Sequence, residues 1–107
     1  MVEINWTSQA IEDMNSIAEF ISKESVKYAN SQVDSFFLNA QILETHPLAG
    51  RIVPKTNIKA LRELIIGSYR LVYEIINSRR IDVLTVHHSA RLLKNSPVFR
   101  KKRIRKK

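Results

Sequence analysis

The chain has 107 residues, of which 44% are hydrophobic and 26% charged, and it contains no cysteine. That length fits one domain with a modest core, and the lack of thiols excludes disulfides and cysteine-held metals. The formal charge of +8 is unevenly placed: residues 1–90 carry nine Lys/Arg and all ten Asp/Glu, whereas residues 91–107 carry nine Lys/Arg and no acid. A nearly neutral body argues against a broad nucleic-acid surface. The basic end reads first as a solvated tail or one docked on an acidic partner, and only then as a phosphate-binding arm. No apolar run approaches the ~20 residues that span a bilayer. The N-terminus lacks a basic segment followed by a long apolar one, so a cytoplasmic location away from membranes is expected.

In chain order, residues 2–6 alternate Val2, Ile4 and Trp6 with Glu3 and Asn5, the pattern of a short half-buried strand. A helix is predicted over residues 8–22. Ala10, Met14, Ile17, Ala18 and Ile21 form its stripe, with Ile11 beside it, and Thr7 or Ser8 is placed to cap it. Glu12 and Asp13, near its start, suit the positive end of the helix dipole. A second helix is predicted over residues 25–45, capped by Ser25, striped by Ala29, Val33, Phe36, Phe37, Ala40 and Leu43, and stopped at His46-Pro47. The short break between the helices makes them an antiparallel hairpin. Residues 47–60 form one long irregular link containing Arg51, Lys55 and Lys59.

Residues 61–91 organise the rest. Three runs rich in Ile, Val, Leu and Tyr are separated by Gly67-Ser68 and by residues 77–80, which predicts a three-stranded antiparallel meander. Gly first in a two-residue break is the chemistry of a type II′ turn. Alternation puts Tyr69, Leu71, Tyr73 and Ile75 on one face of the middle strand, and Arg70, Val72, Glu74 and Ile76 on the other. The second face is a poor dry core. Arg70 and Glu74 are expected to point to solvent or to a ligand, the plainer alternative being an ion pair on a solvated face, worth well under ~1 kcal/mol. After the meander, residues 90–94 make a helical turn or a strand extension, Pro97 stops it, and residues 100–107 form a tail expected to be disordered when unbound. The domain is therefore placed at residues 1–99.

The chemistry is sparse. Two glycines rule out a phosphate-binding Gly loop, and no metal set or cofactor is indicated. His87 and His88 are adjacent, so in a strand they face opposite ways, and one of them packs against the helices. His87, His88, Arg70, Arg91, Arg62 and Tyr73 converge on the sheet if the strands pair as expected. Such a set has no strong nucleophile. It matches what cleavage of RNA by its own 2′-hydroxyl needs, namely a base, an acid and a cation for the phosphorane. It also matches an ordinary binding surface.

In order along the chain come a strand ending in Trp6, a helical hairpin, P-x-x-G-R at residues 47–51, R-E-L at residues 62–64, Y-R-L-V-Y at residues 69–73, and Val86, His88 and Arg91. This ordered set resembles the RelE/ParE superfamily of toxins over residues 2–94. The resemblance implies an α+β fold of order β-α-α-β-β-β, growth arrest by a type II toxin–antitoxin (plasmid stabilisation) module, and a cognate antitoxin in a hetero-oligomer. RelE-like members cut messenger RNA on the ribosome, whereas ParE-like members poison DNA gyrase. Arg70 matches the arginine with which RelE-like nucleases hold phosphate, and His87 or His88 is the candidate acid or base. Ser89 falls where the last catalytic residue of those nucleases is expected. The R-E-L and His-to-Arg segments look closer to ParE, so gyrase inhibition is the leading expectation, with Arg51, Arg62, Tyr73 and Arg91 as candidate target- or phosphate-binding residues. A ribosome-dependent endoribonuclease is the alternative. A non-toxic module that binds nucleic acid through its tail is the third possibility.

Overall fold

The computed structural model describes residues 1–89. Residues 90–107, which include Arg91 and the basic tail, lie outside the described residues. The elements run β1 (Glu3–Trp6), α1 (Ser8–Ser22), α2 (Val26–Ala40), a 3₁₀ turn (Gln41–Glu44), β2 (Arg51–Ile52), β3 (Leu61–Ile66), β4 (Tyr69–Asn77) and β5 (Arg80–His88).

The helical hairpin starts and stops for local reasons. Thr7 is extended, and its hydroxyl accepts from the Ala10 N–H; Ser25 does the same for Tyr28. Each satisfies a donor that the first turn leaves orphaned. The second helix is shorter than the stripe suggests. It ends at Ala40 and tightens into the 3₁₀ turn before Pro47, so that Leu43 is still fully buried. Glu12 and Asp13 lie beyond the first turn of α1, and Asp13 has other work. β1 runs parallel to β5 only as far as Trp6 opposite Val83. Past that point Asp13 covers the β5 edge, accepting from the Val86 N–H at 3.2 Å and from the Thr85 hydroxyl. Thr7 seals the junction through its hydroxyl, which donates to the Val83 carbonyl at 2.7 Å.

The sheet has five strands in the order β1-β5-β4-β3-β2. The expected meander is present as β3-β4-β5, antiparallel throughout. Gly67 takes φ +60° while Ser68 stays out of the left-handed region, as a type II′ turn requires. Two features were not legible in the sequence. β1 crosses over to pair with β5, and the long link contributes a two-residue strand, β2, at the far edge. An irregularity in β5 inserts Leu84 between the Val83–Tyr73 and Thr85–Val72 pairs. This bulge lets Val83 and Val86, three residues apart, both reach the helix-side core.

That core joins Ala10 and Met14 of α1, Phe36 and Ala40 of α2, and Leu43 to Leu71, Tyr73, Ile81, Val83 and Val86 of the sheet. Full burial of each large side chain there contributes roughly 1.5–3 kcal/mol. Trp6 closes one end with its ring 4.6 Å from Phe37. The other face of the sheet departs from expectation. It holds a second apolar cluster of Val53, Leu61, Val72 and Leu84, with Ile58 packed against it. Residues 53–60 fold over this face because the link carries its own apolar anchors. Thr56 stabilises the turn by donating to the Val53 carbonyl at 2.7 Å.

The link is fastened at Gly50. A methyl group on Gly50 lands 2.6 Å from the Glu63 carbonyl oxygen and 2.7 Å from the Tyr73 ring and hydroxyl, so only glycine fits. Gly50→Ala is expected to lower stability by about 1–3 kcal/mol through this overpacking, read from the midpoint of urea unfolding. Thr7→Ala is expected to cost about 1 kcal/mol through loss of the cap, in the same measurement.

Candidate functional site

Three adjacent strands bring Arg51, Glu63 and Arg70 together on the face away from the helices. Arg51 of β2 stands directly opposite Glu63 of β3. Arg70 of β4 stands opposite Ile65, two residues further along β3 and on the same face. The Glu63 side chain is fully buried, whereas those of Arg51 and Arg70 are 54% and 30% exposed. Glu63 Oε2 accepts from Arg51 Nε at 2.7 Å and from Arg70 Nη1 at 3.3 Å. A carboxylate buried without partners carries a desolvation cost of several kcal/mol, which two guanidiniums offset. Arg70 therefore meets a buried acid on the neighbouring strand in place of the solvated ion pair considered from the sequence.

Arg70 also stands directly opposite His87 of β5, and His87 is 4% exposed. His88 takes the other face, opposite Tyr69, with the two rings edge-on at 5.5 Å. The histidine on the helix side, His88, is exposed, and the one on the helix-free side, His87, is buried, which settles an order that adjacency alone left open.

Tyr73 and Arg62 are cross-strand partners on the helix side, where both serve the link. The Tyr73 hydroxyl donates to the Pro47 carbonyl at 2.7 Å and accepts from the Gly50 N–H at 2.9 Å. Arg62 donates from Nε to the Lys59 carbonyl and from Nη1 to the Gly50 carbonyl, both at 2.9 Å. Of the six residues expected to converge, Arg70 and His87 do so; Arg62, Tyr73 and His88 lie on the reverse side, and Arg91 is outside the described residues. The residue that sequence reasoning missed is Glu63. Its signal is an acid placed between Leu61 and Ile65 on a face that is otherwise apolar.

Charge is divided between the layers. Residues 8–44 carry six acids against two Lys/Arg, and residues 51–89 carry seven Lys/Arg against three acids. The sheet side is thus cationic and the helical side anionic. Among the described residues no group of three His, Asp or Glu can hold a metal, and no helix is long and apolar enough to cross a membrane.

The structure is thus a small mixed sheet backed by one helical hairpin, with an arginine–glutamate cluster on its other face. The sequence pattern of the family described as ParE toxin of type II toxin-antitoxin system, parDE, matches residues 4–93, and the chain belongs to that family. Solved structures agree on the fold. A chromosomal ParDE system from P. aeruginosa superposes with a TM-score of 0.67 at 16% identity, covering 82% of this chain and 96% of that one. A YoeB/ParE toxin from Agrobacterium tumefaciens gives 0.57 at 18% identity, covering 81% and 98%. The RelBE2 toxin–antitoxin complex from Mycobacterium tuberculosis gives 0.53 at 21%, covering 81% and 96%. No curated protein sequence matches the chain.

Burial pushes the Tyr73 phenol above its ordinary value of 10.0, against the smaller opposing pull of the Gly50 N–H and the Arg62 charge. Tyr69 is raised as well, by burial and then by Tyr28. The unfolded phenol ionises near its ordinary value and the folded one above it. Stability from this source is therefore fully present below about pH 10 and is lost as pH rises through the folded value. Tyr73→Phe is expected to lower neutral-pH stability by about 1–3 kcal/mol, because the Gly50 N–H and Pro47 carbonyl lose their partner. It is also expected to flatten, without abolishing, the alkaline fall in urea midpoint.

Proposed function

We propose that this toxin arrests growth by binding and inhibiting DNA gyrase, as its ParE-like segments lead one to expect. The observation that carries the reading is the separation of the histidines from the exposed edge of Arg70. His87, beside Arg70, is buried, and His88, which is exposed, is on the reverse face. General acid–base catalysis needs a proton donor or acceptor within hydrogen-bond reach of the reacting oxygen. The helix-free face thus offers cations that can hold a phosphate, with no exposed imidazole alongside them among the described residues. Family membership supports the same choice.

A cognate antitoxin belongs to this reading. The P. aeruginosa and M. tuberculosis structures are described as a ParDE system and a toxin–antitoxin complex, and a hetero-oligomer with its own antitoxin is the expected resting state here. Gyrase places the site of action in the cytoplasm.

A second reading keeps one specific observation in its favour. Arg70 and His87 are direct cross-strand neighbours, the pairing from which a ribosome-dependent endoribonuclease would be built. The two readings separate experimentally. Purified toxin is expected to block supercoiling by gyrase and to accumulate gyrase-cleaved DNA. Normal supercoiling at excess toxin, together with new cleavage stops in toeprinting on translating ribosomes, reverses the assignment. In that case the triple variant R70A/H87A/H88A loses toxicity while remaining folded; under the gyrase reading, removing the two imidazoles alone leaves toxicity intact.

A further inference from the structure

We infer that Glu63 is a positioning residue that sets Arg51 and Arg70 side by side as a two-guanidinium receptor for a phosphodiester of nucleic acid. The inference rests on the gyrase reading only for where that nucleic acid is met, namely at the enzyme–DNA complex.

Both arginines bond the same carboxylate oxygen, at 2.7 and 3.3 Å, which confines the two bonding nitrogens to within about 6 Å of each other, a span that one phosphate group with its hydrogen bonds can bridge. Next comes what Glu63 leaves unused. Each guanidinium has five N–H donors, and the carboxylate takes one from each, Nε of Arg51 and Nη1 of Arg70; Arg70 Nε is buried, so the donors left for a ligand are the remaining Nη hydrogens of the two side chains. The cluster keeps a net charge of +1. Its acid is wholly buried and its bases reach solvent, so an incoming anion meets cationic nitrogens and not the carboxylate.

The third element is rigidity. Arginine is a long, rotamer-rich side chain, and holding two of them in place before binding removes ordering cost from the binding step. A buried acid on the central strand of the three does this without competing for solvent-side donors. Glu63 Oε1, also buried, has no hydrogen-bond partner among the described residues. The carboxylate is therefore committed to the arginines through one oxygen, and the packing around its fully buried side chain fixes where that oxygen stands. That arrangement fits a group whose task is to hold the guanidiniums.

The surroundings select the ligand class. Lys55 and Lys59 are exposed on the link between β2 and β3, and residues 51–89 carry seven Lys/Arg against three acids. Cations spread along a surface in this way suit a polyanion with regularly spaced charges, and phosphate contacts of this kind carry no sequence preference. An isolated acidic side chain on a partner protein needs only one such contact.

The test uses the full chain and fluorescence anisotropy, with a labelled duplex DNA and a labelled single-stranded RNA of equal phosphate count, across a salt series. R51A and R70A are each expected to weaken binding to one or both probes by roughly three- to tenfold and to reduce the salt slope by about one. R79A, a charge loss outside the cluster, is expected to lose less. The deciding variant is E63Q. Simple electrostatics predicts tighter binding because the net charge rises by one. A positioning role predicts weaker binding despite the added charge. E63Q that binds as well as wild type or better overturns the inference, as does wild type that binds neither probe. Should E63Q fail to fold, R51K decides: it keeps the charge but loses the planar fork, and wild-type affinity in R51K overturns the receptor. Affinity for a polyglutamate peptide that the cluster variants abolish, with nucleic-acid binding untouched, also overturns it in favour of an acidic protein partner. Gyrase inhibition with unchanged E63Q anisotropy removes the receptor and leaves the gyrase reading standing; normal supercoiling with the E63Q loss does the reverse.

Discussion

A carboxylate with no solvent exposure has to be met by charge or the sheet cannot close around it. Glu63 imposes that condition on the middle of three strands. It requires an arginine directly opposite, which is why the long link returns as a strand at Arg51 and not as an unpaired coil. It requires a second cation from β4, which Arg70 supplies. The pairing of the link with the sheet edge at Arg51 and the approach of Arg70 on the helix-free face both meet at this one buried acid.

The Gly50–Tyr73 contact is the complementary constraint on the reverse face. Tyr73 uses both halves of its hydroxyl on the link, and Gly50 has no side chain because the Glu63 backbone and the Tyr73 ring fill the space where one would go. Residues 50 and 51 therefore work on opposite faces of the sheet, one as a close backbone contact and the next as a charge partner. The segment P-x-x-G-R has a physical meaning at each named position: an acceptor carbonyl at Pro47, a gap at Gly50 and a guanidinium at Arg51.

Much of the fold was legible because periodicity and capping act locally. The α1 limits and the division of β4 into two faces came from spacing, and the Ser25 cap, the choice of Thr7 or Ser8 for the first cap and the type II′ turn at Gly67 came from residue type. What was not legible depends on pairings between distant segments. No local pattern says that β1 lies beside β5, or that a two-residue strand hides in the link. The apolar character of the helix-free face was discounted because Arg70 and Glu74 interrupt it, yet Val53 and Ile58 were available to cover it and do. The site was legible in part. Arg70 and His87 are neighbours as the meander implied. Tyr73 and Arg62 looked functional by residue type, and their bonds show them gripping the link. Glu63 was overlooked because an acid in a strand reads as solvent-facing unless its two neighbours on the same face, Leu61 and Ile65, are weighed with it.

The parallel pairing of β1 with β5 has a kinetic meaning. Glu3 and Arg80 are partners although 77 residues separate them in the chain, so the contact that completes the sheet is among the most distant that the described residues allow. Closing such a loop costs more entropy than any hairpin in the molecule, and chains dominated by pairings of this range fold slowly. A polypeptide still emerging from the ribosome can build its helices and β3–β4 hairpin but has no β5 on which to seat its first strand. Assembly of the native sheet is thereby deferred until synthesis has passed residue 88, which gives any protein that must capture the newborn toxin an interval in which to do so.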